Sequence, residues 1–309
     1  MRIRTFFLAI LVTLTLGCSP SAGRPTPAQL GRYCAMLSSC FAPDVGVQIG
    51  LCAPLYEGLW IPEIPAAVRD HGAGMIACAS SASSCDSLAT CLRGGRDQTY
   101  CTAHPGRTCD GNTIVDCTAN NPTAYDCGLF GTGCHQTSTT ALCSNGTACT
   151  PGGMPTCRGN SVIDCDPTSM VEVVEDCGTV LSGGICDASS GFARCVPPAT
   201  CDSTQSGTRC DGNVVVTCFD GHETRLDCAA YNGGTCRPTT AFITVSPTQS
   251  CVAPNSTCDP DTTVDRCNGN AIEGCIDGQT TQIDCAAIGF RTCQAVTGSS
   301  TSMSVVCVR

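Results

Sequence analysis

Apolar residues recur at intervals of three and four along the first part of the chain, a spacing typical of amphipathic helices. Two segments show it at length, PAQLGRYCAMLSSCF (27–41) and EIPAAVRDHGAGMIACASS (63–81). The apolar stripes comprise Leu30, Tyr33, Cys34, Leu37 and Phe41 in the first, and Ile64, Val68, Met75 and Cys78 in the second. A third, shorter segment, CDSLATCL (85–92), aligns Cys85, Leu88 and Leu92, with Asp86 as a candidate N-cap.

The pattern changes at residue 98, where short runs of Val, Ile and Thr alternate with Gly, Asn and Asp. Four seven-residue blocks of this kind, DGNTIVD, RGNSVID, DGNVVVT and NGNAIEG, each lie between two cysteines. A Gly-Asn pair in each block predicts a turn with positive φ, and the β-branched residues after it predict a strand. The glycines concerned are Gly111, Gly159, Gly212 and Gly269.

Hairpin turns follow these strands. Asp220–Gly221 and Asp277–Gly278 are strong two-residue hairpin signals in the last two copies, whereas Asn120–Asn121–Pro122 and Asp166–Pro167 mark the turn in the first two. Each copy is therefore predicted to be a twisted hairpin with one or two further short strands.

The cysteines divide the chain into modules. Of 31 cysteines, Cys18 stands apart and the other thirty form five groups of six, which indicates a disulfide framework. The first group lies in the helical region: Cys34, Cys40, Cys52, Cys78, Cys85 and Cys91. The first repeat has Cys101, Cys109, Cys117, Cys127, Cys134 and Cys143, and the second has Cys149, Cys157, Cys165, Cys177, Cys186 and Cys195. The third has Cys201, Cys210, Cys218, Cys228, Cys236 and Cys251, and the fourth has Cys258, Cys267, Cys275, Cys285, Cys293 and Cys307.

The fold class predicted from these patterns is a set of small disulfide-rich modules. A short helical module stapled by six cysteines is followed by four β-hairpin-based six-cysteine repeats. We assign a signal peptide to 1–17, a flexible tether to 18–27, the helical module to 28–97 and the repeats to 98–147, 148–198, 199–254 and 255–309. Six cysteines allow about fifteen pairings in each module, and all of them stay open at this point.

The N-terminal segment MRIRTFFLAILVTLTLGC indicates export. Arg2 and Arg4 precede an apolar run, Phe6 to Leu16, which is too short to cross a bilayer core of about 30 Å but suits a signal peptide. The residues before Cys18 resemble a bacterial lipobox, which implies that Cys18 is the lipidation site. The alternative is an ordinary secretory signal that leaves Cys18 unpaired or paired with another chain.

Composition agrees with an exported scaffold. Only 14% of residues are charged and 5% are aromatic, so large conventional cores are not expected and stability should depend on oxidation. The net charge is −10 and there is no basic run, which argues against nucleic acid as a partner. The membrane is expected to be contacted through the lipid on Cys18, and an unidentified protein or glycan remains a possible ligand.

Aspartate precedes the fourth cysteine of every repeat, at Asp126, Asp176, Asp227 and Asp284. Calcium ligation is one interpretation; the favoured one is hydrogen bonding of the carboxylates to turn backbone. The segment Asp259 to Asp265 is the nearest approach to a calcium loop. The Cys-x7-Cys spacing is too wide for zinc, and the four scattered histidines, His71, His104, His135 and His222, form no metal motif. We therefore predict no metal, no cofactor and no catalytic residues.

The repeats, with their C-x-G-N-x-[IV]-x-x-C block, hairpin and Asp-Cys, resemble the cysteine-rich repeat lipoproteins of high-GC predatory or gliding bacteria. That resemblance implies a location and an architecture, and no activity. Ser19 is not an Asp and so gives no inner-membrane retention signal, and we expect the lipid in the outer membrane, with the protein on its periplasmic face or at the cell surface. We expect a non-catalytic surface lipoprotein, a scaffold for adhesion or partner binding. The alternative is an inhibitor of secreted proteases that presents the long loops Arg237–Ser250 and Gln294–Val306.

Overall fold

A computed structural model describes residues 24–43, 49, 64–118, 122–202, 207–219, 221–239, 248–259, 263–297 and 303–309. The predicted fold class is confirmed, since a small helical module precedes four cysteine-stapled units of short antiparallel strands. The predicted signal peptide, Cys18 and Cys52 lie outside the described residues. Among the helices within those ranges, none has both the length and the apolar character that a membrane span requires.

The described residues of the first module include three helices close to their predicted bounds: α1 Pro27–Phe41, α2 Ala66–Ser81 and α3 Cys85–Leu92. The predicted cap of α3 is wrong. Ser84 is its N-cap and exchanges hydrogen bonds with Ser87, while Asp86 lies in the first turn. A short helix that the sequence did not predict, α4 Gln98–Ala103, opens the first repeat.

Each repeat consists of a three-stranded antiparallel sheet, one helical turn and a two-stranded ribbon. The five strands exceed the three or four predicted, because the fifth and sixth cysteines also lie on paired strands. Repeat 1 comprises β1 Arg107–Asp110, β2 Thr113–Asp116, β3 Thr123–Asp126, the 3-10 turn Cys127–Phe130, β4 Gly133–Gln136 and β5 Ala141–Ser144. Repeat 2 comprises β6 Thr156–Arg158, β7 Ser161–Asp166, β8 Val171–Asp176, α5 Cys177–Val180, β9 Ile185–Asp187 and β10 Arg194–Val196.

The last two repeats follow the same order. Repeat 3 comprises β11 Gly207–Asp211, β12 Val214–Phe219, β13 His222–Asp227, α6 Cys228–Asn232, β14 Thr235–Thr239 and β15 Thr248–Val252. Repeat 4 comprises β16 Arg266–Asn268, β17 Ala271–Ile276, β18 Gln279–Asp284, the 3-10 turn Ala286–Ile288, β19 Thr292–Thr297 and β20 Met303–Val308.

The Gly-Asn turns are confirmed. All four glycines have φ between 59° and 63°, a region that residues with a side chain seldom adopt. The carbonyl of the following Asn accepts a hydrogen bond of 2.9 to 3.1 Å from the amide of the fourth cysteine in every repeat. Asp277–Gly278 also forms the expected two-residue turn, with φ of 51° and 77°.

The disulfides of all four repeats join the first cysteine to the third, the second to the fifth and the fourth to the sixth. In the helical module, Cys40–Cys85 and Cys78–Cys91 are likewise second to fifth and fourth to sixth. Cys34 is also disulfide-bonded. The helical and β modules therefore share these two cross-links despite their different secondary structure.

The modules pack against one another. A single hydrophobic core unites α1, α2 and α3 with repeat 4, and it includes Met36, Ile76, Leu88, Ile276 and Val305. Each module also contacts the next: Arg96 pairs with Asp110, and His222 Nδ1 lies 3.0 Å from the Pro197 carbonyl. Repeat 4 therefore packs against the helical module.

The segment assigned to the flexible tether does not remain extended to residue 27. Arg24 lies over the Tyr231 ring, 3.5 Å from its centroid, and forms an ion pair with Asp277. The Thr26 hydroxyl then caps α1, because it accepts a hydrogen bond of 3.2 Å from the backbone N–H of Gln29. Residues 24–27 therefore do not belong to an unpacked tether.

Candidate functional site

A cleft of about 280 Å³ lies between repeats 1 and 2. Repeat 1 lines it with the start of β1, the end of β3, the 3-10 turn and β5; repeat 2 contributes the end of β7 and the middle of β8. The lining residues central to its chemistry are Arg107, Tyr125, Phe130, Asp166 and Glu175. A cleft with apolar walls and a few polar groups is the usual form of a small-ligand site.

Two aromatic rings form one wall of this cleft. Tyr125 and Phe130 pack edge to face, with centroids 6.3 Å apart. The guanidinium of Arg107 lies 5.1 Å from the Tyr125 centroid, a cation–π distance. The Arg107 Nε is buried and has no hydrogen-bond partner within the described part of the chain.

The acids of the cleft differ in their surroundings. Asp166 accepts hydrogen bonds from the Ser169 hydroxyl (2.6 Å) and amide (2.7 Å), and these lower its pKa. Burial raises the pKa of Glu175. Within the described residues, the Glu175 carboxyl has no hydrogen bond and no ion pair. Of the two acids that line the cleft, Glu175 is therefore the one that lacks a stabilising partner among the described residues.

Strand register shows that Glu175 is exceptional among the repeats. It pairs with Val162, the strand residue that precedes the third cysteine by three positions. The corresponding cross-strand pairs elsewhere are apolar: Ile114 with Tyr125, Val215 with Leu226, and Ile272 with Ile283. Repeat 2 thus has an acid where the fold accepts an apolar residue, a difference that aligning the four copies of the sequence would have shown.

Repeat 2 also exposes large apolar side chains. Met154, Met170, Ile185 and Phe192 are all exposed, and Val264 of repeat 4 is the other such residue in the described ranges. The amide of Ala193 donates to the Pro155 carbonyl at 3.0 Å, which joins the segments that bear Phe192 and Met154. Apolar residues concentrated on one module indicate a contact surface more strongly than scattered ones do.

The four aspartates before the fourth cysteines cap the turn that follows, which confirms the backbone interpretation. The carboxylates of Asp126, Asp176, Asp227 and Asp284 accept amide hydrogen bonds of 2.8 to 2.9 Å. Asp265, in the segment closest to a calcium loop, is buried and accepts a hydrogen bond from the Ile49 amide. In the described ranges, no three His, Cys, Asp or Glu side chains form a cluster that suits a metal ion.

The structure does not bring the histidines together. His71 is largely buried on α2, His104 stacks on Tyr100 with centroids 4.4 Å apart, and His222 lies 3.5 Å from Asp187. The two long loops join β14 to β15 and β19 to β20, and their tips lie outside the described residues. Cysteines at the base of both ribbons lie opposite each other but bond elsewhere, for example Cys236 with Cys210.

Comparisons with known proteins give no family. No protein-family model matches this chain, and no curated protein or solved structure matches it either.

Proposed function

We propose that this protein is a non-catalytic, lipid-anchored surface scaffold that binds a partner through repeats 1 and 2. The observation that supports it most is the uniform cross-linking, with first-to-third, second-to-fifth and fourth-to-sixth disulfides in every repeat. Such bonds persist in an oxidising compartment outside the cytoplasm. They also hold loops and clefts in fixed positions, which lowers the entropy cost of binding.

The anchor is the lipid on Cys18, whose acyl chains hold the chain to the outer membrane. Arg24, six residues after Cys18 in the sequence, docks on Tyr231 and Asp277 at the junction of repeats 3 and 4. Labelling cells with a fatty-acid analogue should mark the protein, and Cys18→Ser should abolish both the label and its membrane fractionation. An unlabelled protein in the membrane fraction would refute the anchor.

The scaffold itself is tested by limited proteolysis. The oxidised protein should resist digestion, while the same protein reduced and alkylated should be cut rapidly, because modules of about fifty residues bury too little apolar surface to fold alone. Rapid digestion of the oxidised protein would refute a stapled scaffold.

Inhibition of secreted proteases is a second candidate, favoured by the ribbons that support the two long loops. In both, the paired strands hold two disulfides at their base. The test is residual activity of a panel of serine and cysteine proteases with micromolar oxidised protein. If no protease is slowed, this function is excluded.

A further inference from the structure

The charges around the cleft between repeats 1 and 2 do not balance. Burial lowers the pKa of Arg107, and the charges of Asp116 and Asp166 oppose that shift. Arg107 is therefore already compensated by two carboxylates. Glu175, on the repeat 2 side of the same cleft, is the carboxylate left over.

The fold does not require an acid at this position. In the same register, Leu226 is 8% exposed and Ile283 is 4% exposed, and both belong to hydrophobic cores. Glu175 is half-buried, and a partly desolvated carboxylate without a partner among the described residues is unfavourable. Groups of this kind concentrate at functional sites. Glu175 is better explained by a ligand than by packing.

We propose that the cleft binds a single ammonium or guanidinium group, with the Glu175 carboxylate as its counter-ion and Phe130 as an apolar wall. An anion in the cleft would be repelled by two carboxylates, those of Glu175 and Asp166. The aromatic side of the cleft already binds one cation, because the Arg107 guanidinium lies over the Tyr125 ring. A volume of about 280 Å³ suits a ligand of the size of one long side chain.

This inference rests on the proposed binding function, which leaves two sources for the cation: a small free amine, or a Lys or Arg side chain of a partner protein. Both present the same chemistry to Glu175. The affinities for butylammonium and for a short lysine peptide distinguish the two sources. If the cation is a side chain of a partner protein, the peptide should bind more tightly than butylammonium. If it is a free amine, the peptide should not bind more tightly.

The experiment is an NMR titration of the oxidised, purified protein with butylammonium, butanol and butyrate. Butylammonium should shift resonances of Phe130, Val174 and Glu175 saturably, and the neutral and anionic probes should bind at least about tenfold more weakly. Glu175→Gln and Glu175→Leu should each weaken butylammonium binding about tenfold or more. Asp164→Asn, which removes an exposed carboxylate from β7 of the same repeat, should leave affinity within about twofold.

Glu175→Leu is expected to fold, because it installs the residue type of repeats 3 and 4, and spectral dispersion checks this. Unchanged butylammonium affinity in both Glu175 variants would overturn the proposal. A Glu175 side-chain pKa below its ordinary value would also overturn it, since Arg107 would then already neutralise the acid. An absent lipid would refute the anchor without changing the titration result, whereas a protein that resists digestion but does not bind butylammonium would refute the cleft and leave the scaffold standing.

Discussion

The buried hydroxyl of Ser39 accepts a hydrogen bond of 3.0 Å from the backbone amide of Cys307, 268 residues further along the chain. Ser39 lies on α1 and Cys307 lies on β20, so the bond joins the helical module to the last repeat. The apolar residues of both elements belong to one core. We therefore expect these two modules to unfold together.

Gly31 tests this interface because its backbone lies directly against side chains of repeat 4. A Cβ at Gly31 would be 3.0 Å from Ile276 Cδ1 and 3.0 Å from Thr281 Cγ2. Gly31→Leu should lower the free energy of unfolding by about 2–3 kcal/mol, measured by urea denaturation of the oxidised protein. Gly153→Leu is the matched control, since a side chain there meets nothing within 4 Å, and it should change stability by less than about 0.5 kcal/mol. Equal effects of the two changes would contradict the packing.

Arg24 should stabilise the junction of repeats 3 and 4. Its side chain is 22% exposed, whereas the side chain of its partner Asp277 is only 3% exposed. Arg24→Ala leaves that carboxylate buried without its cation and should cost about 2 kcal/mol. The double variant Arg24→Ala, Asp277→Asn should recover part of the loss, measured by the same denaturation. No recovery would mean that stacking on Tyr231 dominates.

Asp227 should act as a helix cap and not as a calcium ligand. Its Oδ1 accepts hydrogen bonds from the amides of Ala229 (2.9 Å) and Ala230 (3.4 Å). Asp227→Ala should cost about 1 kcal/mol, while Asp227→Asn, which keeps an acceptor, should cost only a few tenths. The melting temperature should be the same with calcium and with chelator. A calcium-dependent rise that Asp227→Asn abolishes would contradict this role.

His71 should make the protein sensitive to acid. Burial lowers its pKa from 6.5 to about 4, and the charge of Asp126 opposes this only in part. The unfolded chain takes up the proton first, so stability from neutral His71 is complete above pH 6.5 and is lost as the pH falls towards 4. The loss amounts to about 3 kcal/mol.

His71→Phe keeps an aromatic ring and removes this titration. The difference in unfolding free energy between the wild type and the variant should therefore change by about 3 kcal/mol between neutral pH and pH 4. A difference that stays constant with pH would show that His71 is not desolvated in the folded protein.

Local patterns predicted the local structure well. The three helices were predicted to within about three residues at each end, because their apolar spacing is regular. The Gly-Asn turns and the Asp caps followed from backbone chemistry that acts over a few residues. The ribbon strands were missed because cysteines interrupt their alternation of apolar and polar residues.

Long-range features could not be read in the same way. Six cysteines leave the pairing open, since sheet register decides which sulfur atoms meet. Ile276 and Ile283 look like ordinary strand residues, and nothing in the sequence indicates that α1 covers them. Arg24 looked like part of a tether because its partners Tyr231 and Asp277 are far along the chain.

The most direct test of a disulfide-stapled scaffold is mass-spectrometric mapping of cross-linked peptides from the unreduced protein, alkylated before digestion. We predict first-to-third, second-to-fifth and fourth-to-sixth linkages in all four repeats, for example Cys101–Cys117, Cys109–Cys134 and Cys127–Cys143. No alkylated thiol is expected among residues 101–307. Alkylated repeat cysteines, or a mixture of pairings among the copies, would contradict the stapled scaffold.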